Sequence, residues 1–496
     1  MAIGNDLPSL EGVKTGILGG GVSGTALARL AARMGARVFV SDSRELSRET
    51  ASILEEIGAE HETGNSDKIL GCDMAVTSSG FPPSAPIIAR IRDGGVPLLG
   101  ELDFVSPCLK GRVIGVTGSN GKTTTTSLLG HLLESLSPPG NRVAVVGNIG
   151  NPIAEAAGTD YAYIVAELSS FQLHWSKDFA LDAAIVTNLA PDHIDWHGSY
   201  ENYVADKAKI LTFVRGVNSS LLFPRAAAKA DASSLSPEMS GLFSTLSCLN
   251  EHTRGFAITR AEEALALKPE GHVLTLAWDV PASKRSDQEI VLNSSERRAY
   301  AFGGDLFRFG DTAMIGRHNM ENTAMAMAAV GALGLNISRA REALSSYVPP
   351  PHRCALVLSS GGVSYVDDSK GTNIAACVAA LSSIEGKKIV ILGGRRKGEN
   401  FGRLAAPLMN FAKHALLIGE ASREIATALA GQGYTDFTEA GGMEEAVCRA
   451  HGMAIPGDVV LLSPACTSWD SYKNYGERGD HFASLVRRIA GRDRDV

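Results

Sequence analysis

No continuous apolar run in the 496-residue sequence reaches the roughly 20 residues needed to cross a bilayer. The opening "MAIGNDLPSLEGVK" lacks a charged segment followed by a long apolar one, so no secretory signal is expected. Cysteine is sparse and scattered, at positions 72, 108, 248, 354, 377, 448 and 466, and no C-x-x-C occurs. An odd, dispersed set argues against a full disulfide framework and for buried free thiols in a reducing cytoplasm. Basic residues are not in excess: 47 Lys and Arg face 54 Asp and Glu, a net charge of −7, which disfavours nucleic acid or an anionic membrane as partner. Short-period repeats and low-complexity tracts are missing too. What remains is the composition of a soluble globular protein, 44% apolar and 20% charged, with length for about three domains at roughly 100–200 residues each.

Three strand–helix patterns follow one another. The first, "KTGILGGGVSGTALARLAARMGARVFVSD", holds an apolar strand over 15–18, a Gly-rich turn, a helix with Ala, Leu and Met at helical spacing, and a strand ending at Asp42. A seam follows at 106–112, "SPCLKGR". The second restarts with a strand over 113–116, a Gly-rich loop and a helix from about Thr123, and continues through strands 161–166 and 183–187. Residues 215–310, rich in Ser and Ala, are expected to elaborate this domain, with β-hairpins near 272–279 and 299–309. Three consecutive prolines in "YVPPPHR" cannot sit inside a helix or a central strand, and mark the next seam. The third pattern places strands at 388–392, 415–418 and 458–462, and the tail "RRIAGRDRDV" reads as a solvated helix end. Strands alternating with helices predict an α/β protein of mainly parallel sheets covered on both faces, with domains 1–108, 109–348 and 349–496.

"VIGVTGSNGKTTTTSLL", residues 113–129, carries the chemistry of a phosphate loop without its usual first glycine, whose place is taken by Val116. A loop between a buried strand and a helix N-terminus aims several N–H groups and the positive end of the helix dipole at one spot. Gly118, Ser119, Asn120 and Gly121 let the backbone approach phosphate oxygens, Lys122 neutralises them, and Thr123 and Thr124 offer hydroxyls for Mg²⁺. The strand "YAYIVA" runs directly into Glu167, which places a carboxylate at the ligand-binding end of a parallel strand. Asp192, His193, Asp195 and His197 cluster in "LAPDHIDWHGSY", where a zinc site and plain loop polarity are equal readings. In "YVADKAKI", Lys207 and Lys209 stand two apart and cannot share a helix face, so one points inward and the other outward. A lysine beside a cation site is electrostatically odd unless it is modified or bridges phosphates.

The third pattern gathers cations and hydroxyls at three strand ends. "VDDSKGTN" brings Asp368, Ser369, Lys370, Thr372 and Asn373, with Arg353 upstream. "ILGGRRKGENF" brings Arg395, Arg396 and Lys397, and "LLSPACTSWDSYKNYGERG" brings Ser468, Lys473 and Tyr475. Guanidinium and ammonium groups pair with carboxylates, so an anionic substrate fits these loops.

Together these segments resemble the Mur ligases, ATP-dependent amide-forming enzymes of peptidoglycan synthesis. "VTGSNGKTTT", "GNIGNP", "ELSSFQL", "DHIDWHGSYENYVADKAKI", "GRHNMENTAMA", "PHR", "DDSKGTN", "LGGRRKGENF" and "LSPACTSWD" occur in the family's order over nearly the whole chain. "ELSSFQL" and "DDSKGTN" favour the D-glutamate-adding branch, and the "DNPR" of the diaminopimelate- or lysine-adding branch is missing. The resemblance implies Rossmann-like N- and C-terminal domains around a central P-loop ATPase-like domain. It implies a cytoplasmic, monomeric ligase joining D-glutamate to UDP-N-acetylmuramoyl-L-alanine, with ATP and two Mg²⁺ sites. It also implies roles. Gly118 to Thr124 would hold ATP, with Asn322 at the adenine and Arg353 and Asp368 contributed by the third domain. Thr123, Glu167, His193 and Lys207 would hold metal, Lys207 being the lysine the family carbamylates; Lys122, His193 and Lys207 would be catalytic. Gly19, Gly21, Val22, Ser23, Gly24, Asp42, Ser43, Arg44, Ser79, Gly80 and Asn148 would bind the UDP-substrate. Lys370, Thr372, Lys397, Ser468 and Tyr475 would surround D-glutamate, although Tyr475 stands where the family pattern has phenylalanine. Domain closure about hinges at 106–112 and 346–352 would unite the ligands. No site carries across 215–310, where the resemblance is weakest.

Two other functions share single features. Gly19-x-Gly21-x-x-Gly24 followed by Asp42 is also a dinucleotide fingerprint, so an NAD-dependent oxidoreductase is a rival, disfavoured because it leaves the phosphate loop and the third-domain cations unexplained. A P-loop ATPase or binding module without ligase chemistry would need no cationic amino-acid pocket. Another Mur ligase, adding a different amino acid, is the nearest alternative.

Overall fold

The structure is a computed structural model and describes residues 7–64, 67–189, 192–214, 220–224, 272–285, 289–396, 398 and 400–490. The chain forms two compact units, one of Met1–Asp311 with Ala324–Ser345, the other of Thr312–Thr323 with Ser346–Val496. The expected seam at 106–112 lies within the first unit, and the boundary at residue 346 falls beside the proline run.

In the first unit, β1 (Lys14–Leu18), β2 (Arg37–Asp42), β3 (Glu60–Thr63), β4 (Met74–Thr77) and β5 (Leu98–Gly100) form a parallel sheet in the order β3-β2-β1-β4-β5. Strand order reverses at β1, so its C-terminal end opens into a crevice, where such sheets bind ligands. α1 (Val22–Arg33) starts there and buries Ala26, Leu27, Leu30 and Ala31 on one face.

The second sheet, also in this unit, has nine strands in the order β14-β13-β12-β11-β10-β9-β6-β8-β7. These are β6 (Lys110–Thr117), β7 (Val143–Gly147), β8 (Asp160–Glu167), β9 (Ala183–Val186), β10 (Ser220–Pro224), β11 (His272–Trp278), β12 (Glu289–Asn293), β13 (Arg298–Ala301) and β14 (Gly304–Arg308). β6 lies between β8 and β9, parallel to both, and is a second switch point. The hairpin expected near 299–309 is present as β13–β14. The one expected near 272–279 is not: β11 pairs in parallel with β10 and β12, because these residues extend the central sheet rather than fold back on themselves. One apolar core runs under both sheets, from Ile17 and Leu27 to Leu168 and Phe179. Polar links join them, with Trp175 Nε1 donating to the Phe81 carbonyl (3.0 Å) and the Lys177 and Asp178 amides donating to Asp103.

The second unit holds β15 (Ala355–Ser360), β16 (Val363–Asp367), β17 (Lys388–Gly393), β18 (Ala412–Ile418), β19 (Phe437–Glu439) and β20 (Val459–Leu462), ordered β15-β16-β20-β17-β18-β19. Only β15–β16 is antiparallel. Alternate residues feed two cores: Val390, Leu392, Leu417 and Leu461 on one face, and Ile389, Ile391, Leu416, Val460 and Leu462 on the other. The sheet is covered on both faces, as its continuous apolar strands require. Adjacency of β16, β20 and β17 makes neighbours of the loops that follow them.

Candidate active site

The register around β6 builds the phosphate site. Val116 pairs with Glu167 on one side and Ile185 on the other, so three strand ends converge where the glycine-rich loop begins. Gly118 has φ +142°, and a Cβ there would fall 2.0 Å from Thr187 Oγ1. Gly121, at φ +82°, leads into α2 (Lys122–Leu136) with no side-chain cap. Asn188 braces the loop: its Oδ1 accepts from the Asn120 amide and its Nδ2 donates to the Asn120 carbonyl, both at 2.9 Å. Ser119 Oγ and Tyr203 OH are 2.8 Å apart. Asn188 and Tyr203 were missed in sequence. Their signal was positional, since Asn188 follows the strand paired beside β6 and Tyr203 lies one helical turn before Lys207.

Two lysines end on the same atom. Lys122 Nζ and Lys207 Nζ each donate to the Gly118 carbonyl at 2.8 Å, and Lys122 also to that of Ser119. Lys207 is 2% exposed; burial, then the Lys122 charge, holds its amine well below the usual lysine range, against the pull of Asp192, Glu167 and Asp206. Lys209 points the other way, to Asp206 Oδ1 (3.0 Å) and the His174 carbonyl, so the two lysines divide as the helical spacing requires. Glu167 is equally buried. Its Oε1 accepts from Asn148 Nδ2 (3.1 Å), whereas its Oε2 is buried without a hydrogen-bond partner. An orphaned buried carboxylate oxygen is costly unless a cation or proton meets it. A carboxylate oxygen of this kind is the donor type Mg²⁺ takes, as is the Thr123 hydroxyl in the first turn of α2.

Among the described residues no three His, Cys, Asp or Glu side chains are grouped to hold a metal ion. His197 is buried, bonded to Asp206 and Ser170. His193 adopts φ +52° at the start of the short helix Ile194–His197, with its ring 4.8 Å from that of Phe171 and its Nε2 3.5 Å from Asp192 Oδ2.

Around β1, Asp42 fixes the glycine turn by accepting from the Gly20 amide (2.8 Å) and the Arg44 amide (2.9 Å). Only glycine fits at 24, where a Cβ would lie 1.8 Å from the Gly19 carbonyl. Two adjoining cavities, of about 820 and 690 Å³, open here. Gly19, Gly21, Val22, Asp42, Ser43, Arg44 and Gly80 line them, while Ser23, Gly24 and Ser79 do not. Burial raises the Glu101 carboxyl to about 7, countered by Gln172 and Ser23, and Gln172 Nε2 lies 3.4 Å from it.

In the second unit, Lys370 Nζ donates to Tyr475 OH at 2.8 Å and lies 3.9 Å from the ring centre. Asp368 is buried, accepts from Ser463 Oγ (2.7 Å), and is raised to about 7 by desolvation. Thr372 donates its amide to the Lys370 carbonyl, Ser468 is buried, and Arg353 is half-buried. Asn322 is buried, with Nδ2 donating to Asn319 Oδ1. Arg395 and Arg396 are paired with Glu420 and Glu424. Lys397 lies outside the described residues. Sequence reasoning missed Arg478, buried in α6 (Tyr475–Ile489), which donates to Ser369 Oγ, the Ser369 carbonyl and the Cys466 carbonyl. Among the described cysteines, Cys72, Cys108, Cys354 and Cys377 are buried free thiols and Cys448 is exposed.

Three family descriptions match in order: MurD N-terminal domain over 14–87, Mur ligase middle domain over 116–233, and Mur ligase, glutamate ligase domain over 352–466. Fold and site thus define a three-domain Mur ligase architecture. The chain is 35% identical to the UDP-N-acetylmuramoylalanine–D-glutamate ligase of Paraburkholderia xenovorans, covering 96% of each. It therefore belongs to the Mur ligase family, in the branch of the UDP-N-acetylmuramoylalanine–D-glutamate ligases. Two solved structures share the fold: a pseudomurein peptide ligase type C from Methanothermus fervidus (16% identity, 96% and 100% of the chains, TM-score 0.56) and a MurF ligase from Thermotoga maritima in complex with ADP (15%, 92% and 95%, TM-score 0.53).

Proposed function

We propose that the protein joins D-glutamate to UDP-N-acetylmuramoyl-L-alanine at the expense of ATP, a cytoplasmic step of peptidoglycan precursor synthesis. Family membership over the full length supports the reaction. The observation that carries it to particular atoms is the convergence of Lys122 and Lys207 on the Gly118 carbonyl, at the strand end that bears Glu167.

A carboxylate is a poor electrophile. Transfer of the γ-phosphoryl group of ATP to the L-alanine carboxylate gives an acyl phosphate, with Lys122 holding the transferred oxygens and the α2 N-terminus their negative charge. The amine of D-glutamate then attacks, phosphate leaves, and an amide results. Thr123, Glu167, His193 and carbamylated Lys207 would hold two Mg²⁺ ions, whose charge neutralises phosphate oxygens. A buried lysine kept below its usual range presents the neutral amine that adds CO₂, releasing a proton and leaving an anionic carbamate. Asp42, Arg44 and the glycine turn would seat UDP, and Asn148 the acceptor. In the second unit Lys370, Thr372, Lys397, Ser468 and Tyr475 would hold D-glutamate, and Asn322, Arg353 and Asp368 would serve ATP.

The test is ATP-dependent phosphate release. It should require UDP-N-acetylmuramoyl-L-alanine and D-glutamate together, with L-alanine, L-glutamate and diaminopimelate inactive. Release without any amino acid would favour a plain ATPase, and NADH fluorescence changes on titration an oxidoreductase.

A further inference from the structure

A polar knot joins segments next to three of the four residues assigned to metal, Glu167, His193 and Lys207. Asp206 Oδ2 accepts from His174 Nδ1 (2.7 Å) and His197 Nδ1 (3.0 Å), and its Oδ1 faces Lys209 Nζ (3.0 Å). Because His197 Nδ1 carries the donated proton, neutral His197 has Nε2 free to accept from Ser170 Oγ, 3.0 Å away. Asp206 is buried, and these interactions outweigh desolvation to hold it well below the usual carboxylate range.

The knot's partners sit on three segments, each bearing one candidate ligand. Ser170 and His174 belong to α3 (Ser170–Trp175), which begins three residues after Glu167. His197 ends α4 (Ile194–His197), which His193 precedes. Asp206 lies in α5 (Tyr200–Ala208) and precedes Lys207. Rings carry the linkage onward: Phe171, next to Ser170, has its centre 4.8 Å from both His193 and Trp196, and Trp196 stands 5.1 Å from His174. Substituting Asp206 would leave two imidazole N–H groups and an ammonium without their shared acceptor, and the three segments free to shift against one another.

We infer that Asp206, through His197 and His174, is a positioning residue that sets the mutual placement of Glu167, His193 and Lys207. The inference rests on the ligase reading of these three residues. Partners that orient metal ligands usually change metal affinity or activity about 10–100-fold when removed.

The experiment is Mn²⁺ binding to the full chain with bicarbonate present, followed by the paramagnetic signal of free Mn²⁺, alongside thermal unfolding. Asp206→Ala should raise the Mn²⁺ dissociation constant about 10-fold or more, with the Mg²⁺ needed for half-maximal turnover rising in parallel. Asp206→Asn, which keeps one acceptor oxygen, should fall between. Val38→Ala, a core change in the first sheet, lowers stability without touching the knot and should leave Mn²⁺ affinity unchanged. Should Asp206→Ala fail to fold, Asp206→Asn and His197→Gln carry the same comparison. Mn²⁺ affinity in these variants equal to that of wild type, or reduced no more than in Val38→Ala, overturns the inference alone. Wild-type protein that binds no Mn²⁺ overturns the metal assignment of Glu167, His193 and Lys207, and this inference with it.

Discussion

Lys207 in the first unit and Arg478 in the second are both buried basic side chains, held in opposite ways. Arg478 has each of its nitrogens matched to an oxygen of Ser369 or Cys466, and although burial lowers it, it stays at about 10. Lys207 has a carbonyl at 2.8 Å, a hydroxyl at 3.5 Å and, among the described residues, no carboxylate within ion-pair distance. The carboxylates contrast in the same way. Asp368 takes hydrogen bonds from Ser463 Oγ and the Cys354 amide, whereas one oxygen of Glu167 has no partner. A satisfied buried network gives rigidity, and an unsatisfied one costs stability unless something binds there. The hydrogen bonds of Arg478 thus brace its surroundings, whereas the unsatisfied pair Lys207 and Glu167 is what the proposed function reads as a site.

Breaking the loop lysine should have the largest effect. Lys122→Ala is expected to reduce acyl-phosphate formation by about 10³-fold or more, measured by trapping the intermediate; undiminished phosphoryl transfer would remove Lys122 from that role. Lys207→Ala should lose most activity, unrescued by excess bicarbonate and partly restored by small carboxylic acids that replace the carbamate. Wild-type-like turnover in that variant would end the carbamate assignment.

Stability sharpens the contrast. Lys207→Met removes a buried, poorly satisfied amine and should leave the thermal midpoint unchanged or higher, while Arg478→Met strands three acceptors and should cost about 3–5 kcal/mol. Equal destabilisation by both would erase the distinction between site and brace.

The smallest expected effect concerns Glu101, between the first two sheets. Its carboxyl titrates at about 7 in the fold and near the ordinary 4.5 when unfolded. Between those values the folded state binds more protons, so stability contributed by the protonated form falls as pH rises from 4.5 through 7. Glu101→Gln should flatten this slope, gaining on the order of 2–3 kcal/mol relative to wild type between pH 5 and 8. An unchanged pH profile of the thermal midpoint would show that Glu101 is ionised in the folded protein.

Much of the fold was legible because it rests on local pattern. Apolar strands ending in glycine turns, and α1 with its Ala and Leu face, are specified within about thirty residues. The site was legible where a motif joins strand to helix, as in "GSNGKTT", and where a carboxylate closes a strand, as at Glu167. Illegible were partners supplied by distant segments: Asn188 against Asn120, Tyr203 against Ser119, Arg478 against Ser369. Such contacts depend on which strands lie side by side, and no local period encodes that. The same gap explains β11, whose residues suit a hairpin or a parallel strand equally, and Arg395 and Arg396, whose glutamate partners lie 25 and 28 residues away.

By itself the sequence determined three α/β patterns, the phosphate loop, and the residue types that ATP, a cation and an anionic amino acid require. Tertiary structure alone decided that Lys122 and Lys207 share one carbonyl, that Glu167 keeps a bare oxygen, and that Asp206 meets His174 and His197 from two other segments. Residue chemistry is set by covalent identity, whereas burial, charge proximity and hydrogen-bond satisfaction arise only when parallel strands such as β6, β8 and β9 bring their ends together.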